Sequence, residues 1–167
     1  MSGFEKALEA LLPRLRRFAH GLTANRADAD DLTQIAIERA LRARMQWQEG
    51  TRLDAWVYRI MRNCWIDIVR ARARSGKVLV PAEAGEHVGH DPTAQMDAKI
   101  DLERLMLAME LLPVEQREVV ALVLIEGFGY RETAELLDLP IGTVSSRLVR
   151  GRSALLALIK EGGTNDR

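Results

Sequence analysis

The sequence is poor in the features that staple or anchor a chain. It holds one cysteine, Cys64, which excludes an internal disulfide and fits a reduced compartment. Aromatic residues make up only 5% of it. No apolar run approaches the ~20 residues of a membrane span. The opening "MSGFEKALEALL" carries acids where a secretory leader carries bases. Net charge is also missing, because 24 basic residues balance 24 acidic ones. Disulfide-stapled secreted domains and membrane spans are thereby excluded, and the expectation is a cytoplasmic protein with no membrane contact of its own.

What is present is helical. Leu, Ala, Arg and Glu dominate a chain of 167 residues that is 47% hydrophobic, enough for one compact domain or two small ones. Phe4, Ala7, Leu8, Leu11, Leu12, Leu15, Phe18, Ala19 and Leu22 recur at helical spacing. Pro13 is expected to kink that helix or to open a second one at its first turn. A second helix is read over residues 28–44, with acids in its first turn where the helix dipole favours them. A loop "MQWQEGTR" precedes a third helix over 53–74, with Leu53, Val57, Ile60, Cys64 and Ile68 on one side. Residues 75–95 hold Gly, Pro and His without a period and read as a linker. A second helical block follows from Met96, with a stripe of Leu102, Leu105, Met106, Met109 and Leu112 ended by Pro113. A helix through "VEQREVVALVLIEG" closes at Gly127, and two more run over 130–137 and 142–160. No strand pattern competes. The expected fold class is all-α: two small helical domains, 1–74 and 96–167, joined by a flexible linker over 75–95, the second containing a helix-turn-helix.

The zero net charge hides an asymmetry. Residues 52–74 hold Arg52, Arg59, Arg62, Arg70, Arg72 and Arg74 against Asp54 and Asp67. Residues 141–160 hold Arg147, Arg150, Arg152 and Lys160 with no acid, whereas 97–118 carry six acids against three bases. Two separate basic segments suggest two places that meet phosphate.

The second basic segment lies in "LLDLPIGTVSSRLVRGRSAL", two short helices about a tight turn. In a helix-turn-helix the second helix enters the major groove. Ala134 is small where the helices cross, and Leu137, Leu139 and Val144 are apolar where turn and helix pack. Asp138 stands at the turn position that often carries Gly, and Asp tolerates the left-handed conformation better than most residues. Val144, Leu148 and Leu155 face inward, which leaves Ser145, Ser146, Val149, Arg150 and Arg152 to face out. Short serines permit close approach to DNA, and arginine contacts phosphate or pairs with guanine.

The segment "FGYRETAELLDLPIGTVSSRLVRGRSALL" resembles sigma region 4 of the extracytoplasmic-function sigma factors, with matches at Tyr130, Glu132, Ala134, Pro140, Gly142, Thr143, Val144, Ser146 and Arg147. "LLPVEQREVVAL" resembles the helix that precedes it in that family. "DADDLTQIAIERAL" and "LDAWVYRIMRNCWIDIVRAR" are similar to two segments of sigma region 2. The resemblance covers residues 4–74 and 96–160, nearly everything but the linker.

The resemblance implies a subunit that binds bacterial RNA polymerase core and promoter DNA, performs no catalysis, uses no cofactor or metal, and has an anti-sigma factor as partner. It places core-polymerase binding on Asp31, Leu32, Gln34 and Glu38. Ile35 departs from the family, which commonly has an acid there. Minus-10 DNA falls to Trp56, Tyr58, Arg59, Arg62, Asn63 and Arg70, with Asn63 the foremost base reader and Trp47 a further aromatic. A strand-separating surface needs such aromatic and cationic types to replace stacking and follow the backbone. Minus-35 DNA falls to Thr143, Ser145, Ser146, Arg147, Val149 and Arg150. Val123 and Leu124 stand where many relatives carry Arg-Glu, and Ser145 replaces a frequent base. Rival readings are a stand-alone helix-turn-helix regulator, a nuclease using Asp28, Asp30 and Asp31, and a decoy that binds polymerase without starting transcription. His87 and His90 read as polar linker residues rather than metal ligands.

Overall fold

The computed structural model describes residues 1–23, 25–76 and 94–164. All of the expected linker except its ends, with His87 and His90, lies outside them. Among the described residues there are seven α-helices: α1 Gly3–Thr23, α2 Arg26–Arg42, α3 Leu53–Arg74, α4 Ala94–Leu111, α5 Val114–Val120, α6 Tyr130–Leu137 and α7 Ile141–Thr164. A short 3-10 turn, Arg44–Gln46, follows α2.

In the N-terminal half α1, α2 and α3 pack on one another. Helix α1 continues through Pro13, so the restart, one of the two expected outcomes, does not occur. Pro13 lies on the exposed side. The buried stripe of Leu8, Leu15, Phe18 and Leu22 holds the turns on either side of it against the core, which offsets the ~3 kcal/mol a proline costs inside a helix. Helix α2 starts two residues earlier than expected because Asn25 caps it, its Oδ1 accepting from the Asp28 amide at 3.2 Å. The Asp28 carboxylate takes two hydrogen bonds from Arg72 of α3, at 2.8 and 2.9 Å. That guanidinium holds the Asp28 carboxyl below the usual carboxylate range.

In the C-terminal half α7 packs against α4, α5 and α6. The crossing of α5 and α7 needs Gly151, where an added Cβ would lie 2.8 Å from Val120 Cγ2 and 3.2 Å from Gln116 Cβ. Gly→Ala inside an open helix stabilises by about 1 kcal/mol. Here Gly151→Ala is expected to destabilise by about 1–3 kcal/mol, the usual cost of overpacking; a denaturant midpoint at or above the wild-type value would contradict the packing described.

The helix expected through residues 114–127 widens after α5 into a π-helical turn, Ala121–Ile125. The Glu126 amide donates to the Ala121 carbonyl at 2.9 Å and the Phe128 amide to Leu122 at 3.0 Å. Gly127 ends the segment with φ +75°, as its position predicts. The extra residue in this turn alters the direction in which Glu126 and Phe128 leave the helix.

The two halves share one core. Phe18 of α1, Tyr58 of α3 and Phe128 pack in sequence, the first pair tilted and the second edge-on, with ring centroids 4.6 and 5.5 Å apart. Gly21 of α1 lets the π turn approach, since a Cβ there would meet Ala121 Cβ at 3.2 Å. Arg117 of α5 is buried and donates to four main-chain carbonyls: Leu22 at the end of α1, and Met109, Glu110 and Leu112 at the end of α4, at 2.8–3.0 Å. A guanidinium fork with five N–H donors suits these converging carbonyls. Whether the halves pack together was left open by the sequence; the structure shows them face to face.

Candidate nucleic-acid interface

Three surfaces carry the residues singled out in the sequence. On α2, Asp31, Gln34 and Glu38 are exposed. Gln34 and Glu38 line an open groove with Leu12, Arg16, Arg26 and Asp30. Leu32 does not belong with them, because its side chain is fully buried. It points into the three-helix core together with Ala29 and Ala36, one turn to either side, and its role is packing.

On α3, Asn63 and Arg70 are exposed. Asn63 opens onto a cavity of about 340 Å³ lined by Arg39, Arg42, Ala43, Gln46 and Ile60. The depression is open, and its two cations, paired at the surface with Asp67 at 3.5 Å and Glu38 at 4.0 Å, stand beside an amide that can hydrogen-bond a planar group next to phosphate. Arg39 and Arg42 were missed in the sequence. Their spacing of three on α2 was visible, but only the packing of α2 on α3 brings them to Asn63.

Tyr58, Arg59 and Arg62 of the α3 set are engaged by the C-terminal half. Tyr58 is fully buried, so it is not an open stacking platform in this arrangement. Its hydroxyl donates to Glu126 Oε2 at 2.7 Å, and its pKa is pushed up, by burial first and then by that hydrogen bond. Arg59 donates to the Glu135 carbonyl at 2.6 Å, and Arg62 Nε to Glu118 Oε2 at 3.0 Å. Trp56 is half-buried edge-on to Phe4, with centroids 6.2 Å apart. It also lines a cleft with Arg52, Arg59, Glu132 and Glu135 between α3 and α6. Trp47 packs on Phe4 as well, at 5.5 Å.

The third surface is the helix-turn-helix formed by α6 and α7. The Glu132 side chain accepts from the Gly129 amide at 3.4 Å, fixing the start of α6. Asp138 takes the left-handed conformation, φ 55°, ψ 50°, and the Leu139 amide reaches back to the Ala134 carbonyl at 2.9 Å. Both are what a tight turn between crossing helices requires. Val144, Leu148 and Leu155 are buried. Ser146, Val149 and Arg150 are exposed, Val149 by 61%, while Thr143, Ser145 and Arg147 are half-buried at the edges of the same face. Arg150 is held along the helix, its Nε on the Ser146 carbonyl and Nη2 on Ser146 Oγ, both at 3.3 Å. The result is a shallow convex face of short polar, apolar and cationic groups, suited to a duplex groove.

No helix among the described residues is long and apolar enough to cross a membrane. The Asp28 carboxylate, one of the nuclease candidates, is bound by Arg72.

The Sigma-70 region 2 family matches residues 7–75, and Sigma-70, region 4 matches residues 102–155. The chain is 34% identical to the ECF RNA polymerase sigma factor SigE of Mycolicibacterium smegmatis, over 93% of this chain and 61% of that protein. It is also 34% identical to the ECF RNA polymerase sigma factor EcfG of Rhodopseudomonas palustris, over 94% of this chain and 85% of the relative. Among solved structures it superposes on the sigma factor RpoE of Bartonella quintana, in complex with the anti-sigma factor NepR. The TM-score is 0.81 at 29% identity, covering 96% of this chain and 98% of the other. With both regions matched, and 34% identity to a relative extending over 94% of this chain, the chain belongs to the extracytoplasmic-function family of RNA polymerase sigma factors.

Proposed function

We propose that the chain binds the bacterial RNA polymerase core and directs it to promoters, as a transcription initiation factor and not an enzyme. The observation that carries this reading is the separation of two nucleic-acid surfaces onto two helical units. The Asn63 pocket stands on α3 and the open recognition face on α7; Asp31 and Gln34 of α2 lie outside that pocket's lining, and Glu38 adjoins it through Arg42 at 4.0 Å. Residues 1–74 would serve core binding and minus-10 recognition, and residues 96–167 minus-35 recognition, with 75–95 between them.

In this reading Asp31, Gln34 and Glu38 meet the polymerase. Asn63, with Arg39 and Arg42 beside it, receives an unstacked minus-10 base, while Arg59, Arg62 and Arg70 follow the backbone and Trp56 supplies stacking surface. Ser145, Ser146, Val149 and Arg150 face the minus-35 duplex, with Thr143 and Arg147 at the phosphates. The solved complex of the Bartonella relative with an anti-sigma factor supports a partner of that kind here. The workplace is the cytoplasm, where polymerase is. The test is association with purified core polymerase: the wild-type chain co-elutes with core, and Gln34→Ala/Glu38→Lys weakens that association at least about tenfold while leaving the melting temperature unchanged. Equal affinity of the variant would remove α2 from the contact, and no association of the wild type would overturn the reading.

A further inference from the structure

The outward face of α7 is built almost without bulk. Gly142, Ser146, Val149, Arg150 and Ser153 recur at helical spacing, and all five are exposed. At Gly142 an added Cβ would meet nothing within 4 Å, and its φ is not in the left-handed region. Neither packing nor backbone conformation therefore asks for glycine there. Glycine weakens a helix, and on an open face what it allows is close approach of a large neighbour.

Two side chains rise from this low floor. Val149 is 61% exposed and carries no donor or acceptor. Of the four bases only thymine shows an apolar group in the major groove, its C5-methyl. Arg150 follows directly. Its Nε and Nη2 are tied to the Ser146 carbonyl and Oγ at 3.3 Å, which leaves Nη1 and the second Nη2 hydrogen as a pair at the end of the fork. Such a pair fits the O6 and N7 of a guanine. Consecutive helix residues rise about 1.5 Å, against about 3.4 Å between base pairs. The two side chains thus reach the same base pair or neighbouring ones.

We propose that Val149 is a thymine reader, seating its methyls against the C5-methyl of one thymine in the duplex element, with the guanine met by Arg150 no more than one base pair away. Gly142, Ser146 and Ser153 keep the face low enough for so short a side chain to touch the base. The inference rests on α7 as the duplex reader of the function proposed above, and adds which atoms of the DNA it reads. Choice at that position turns on one methyl group and not on hydrogen bonds.

The test uses the full chain and DNA alone, since the α7 face is open. Duplexes are selected by the chain from a random-sequence double-stranded library. Uracil then replaces each thymine of the selected duplex in turn, and 7-deazaguanine each guanine, which removes a single methyl or a single N7 acceptor. At fixed salt, uracil at one position is expected to weaken wild-type binding about three- to tenfold, the scale of one buried methyl, while the other thymines stay within about twofold. 7-Deazaguanine at the same or the next base pair is expected to weaken binding as well. Val149→Ala replaces an exposed residue by a better helix former, so the melting transition is kept. This variant is expected to bind the thymine duplex only as well as the wild type binds the uracil one, and to be indifferent to uracil there while still sensing 7-deazaguanine. A selected duplex in which no thymine responds to uracil would overturn the proposal, as would a Val149→Ala chain with full uracil sensitivity or a library that yields no shared sequence. Core polymerase plays no part in these readouts. A chain that senses the methyl but does not associate with core counts against the proposed function alone, and one that associates with core but senses no thymine counts against this inference alone.

Discussion

Replacing Arg117 with methionine is expected to be the most damaging single change in the protein. The arginine is 8% exposed and its guanidinium ends on the carbonyls of Leu22, Met109, Glu110 and Leu112. Those of Leu22, Glu110 and Leu112 stand at the ends of α1 and α4, where helical partners run out, while the Met109 carbonyl also accepts from the Leu112 amide at 3.2 Å. Burial pulls the arginine's pKa below its ordinary value, with Glu110 opposing that, yet the group stays cationic because its ordinary value is so high. Methionine fills much of the volume but donates nothing. Buried carbonyls left unmet cost about 1–3 kcal/mol each. Even with partial rehydration at the helix ends, the loss comes to the order of 4 kcal/mol, a large share of the 5–15 kcal/mol that holds a typical domain. Differential scanning calorimetry should show the melting temperature falling by about 10 °C or more. Lysine is expected to rescue little, since one ammonium cannot reach carbonyls from two separate helix ends. Arg131→Met, at an exposed position, should leave the transition within about 2 °C. An Arg117→Met protein that melts with the wild type would show that these carbonyls find other donors.

The second large effect is expected at Asn63. The side chain is exposed, at the mouth of the cavity shared with Arg39, Arg42, Gln46 and Ile60, and bears no part of the core. Asn63→Ala should therefore leave the melting transition and core-polymerase binding as they are. If an unstacked base sits in the cavity, the amide supplies its hydrogen bonds, and each well-made base contact carries about 1–3 kcal/mol of discrimination. Promoter-dependent transcript yield should fall about 10- to 100-fold, with permanganate reactivity of the melted strand falling alongside. Asn63→Asp should do worse, because a carboxylate also repels the approaching phosphates. Yield within twofold of wild type for both variants would place the base elsewhere on α3.

Much of the fold was legible because it is written locally. The third helix was read over 53–74 and the structure has α3 at Leu53–Arg74. The stop at Gly127, the short α6 and the left-handed Asp138 all follow from one or two residues whose backbone preferences are strong. The inward Val144, Leu148 and Leu155 follow from helical period alone. What was not legible depends on partners distant in sequence. Nothing in "VEQREVVALVLIEG" announces a π turn. Its benefit is the placing of Glu126 against Arg14, Arg17 and Tyr58, more than sixty residues away in the chain. Tyr58 and Leu32 carry the residue types that their motifs ask for, and only the packed structure shows both side chains buried. Pro13 was read by its local rule, and the stripe around it keeps a second helix from starting there. At the candidate interface, the residue types on α3 and α7 were visible in sequence, while Arg39 and Arg42 needed the α2–α3 contact to be seen.

The central claim is that the chain gives polymerase its promoter choice, and in vitro transcription tests it most directly. Purified bacterial core polymerase is supplied with fragmented genomic DNA from the organism that carries the sequence, with and without the protein, and the transcripts are mapped. The account predicts discrete new start sites, each preceded by a shared pair of elements, that vanish with Asn63→Ala and with Arg150→Ala. The same pattern of transcripts with and without the protein, from core that has demonstrably bound it, would contradict the claim.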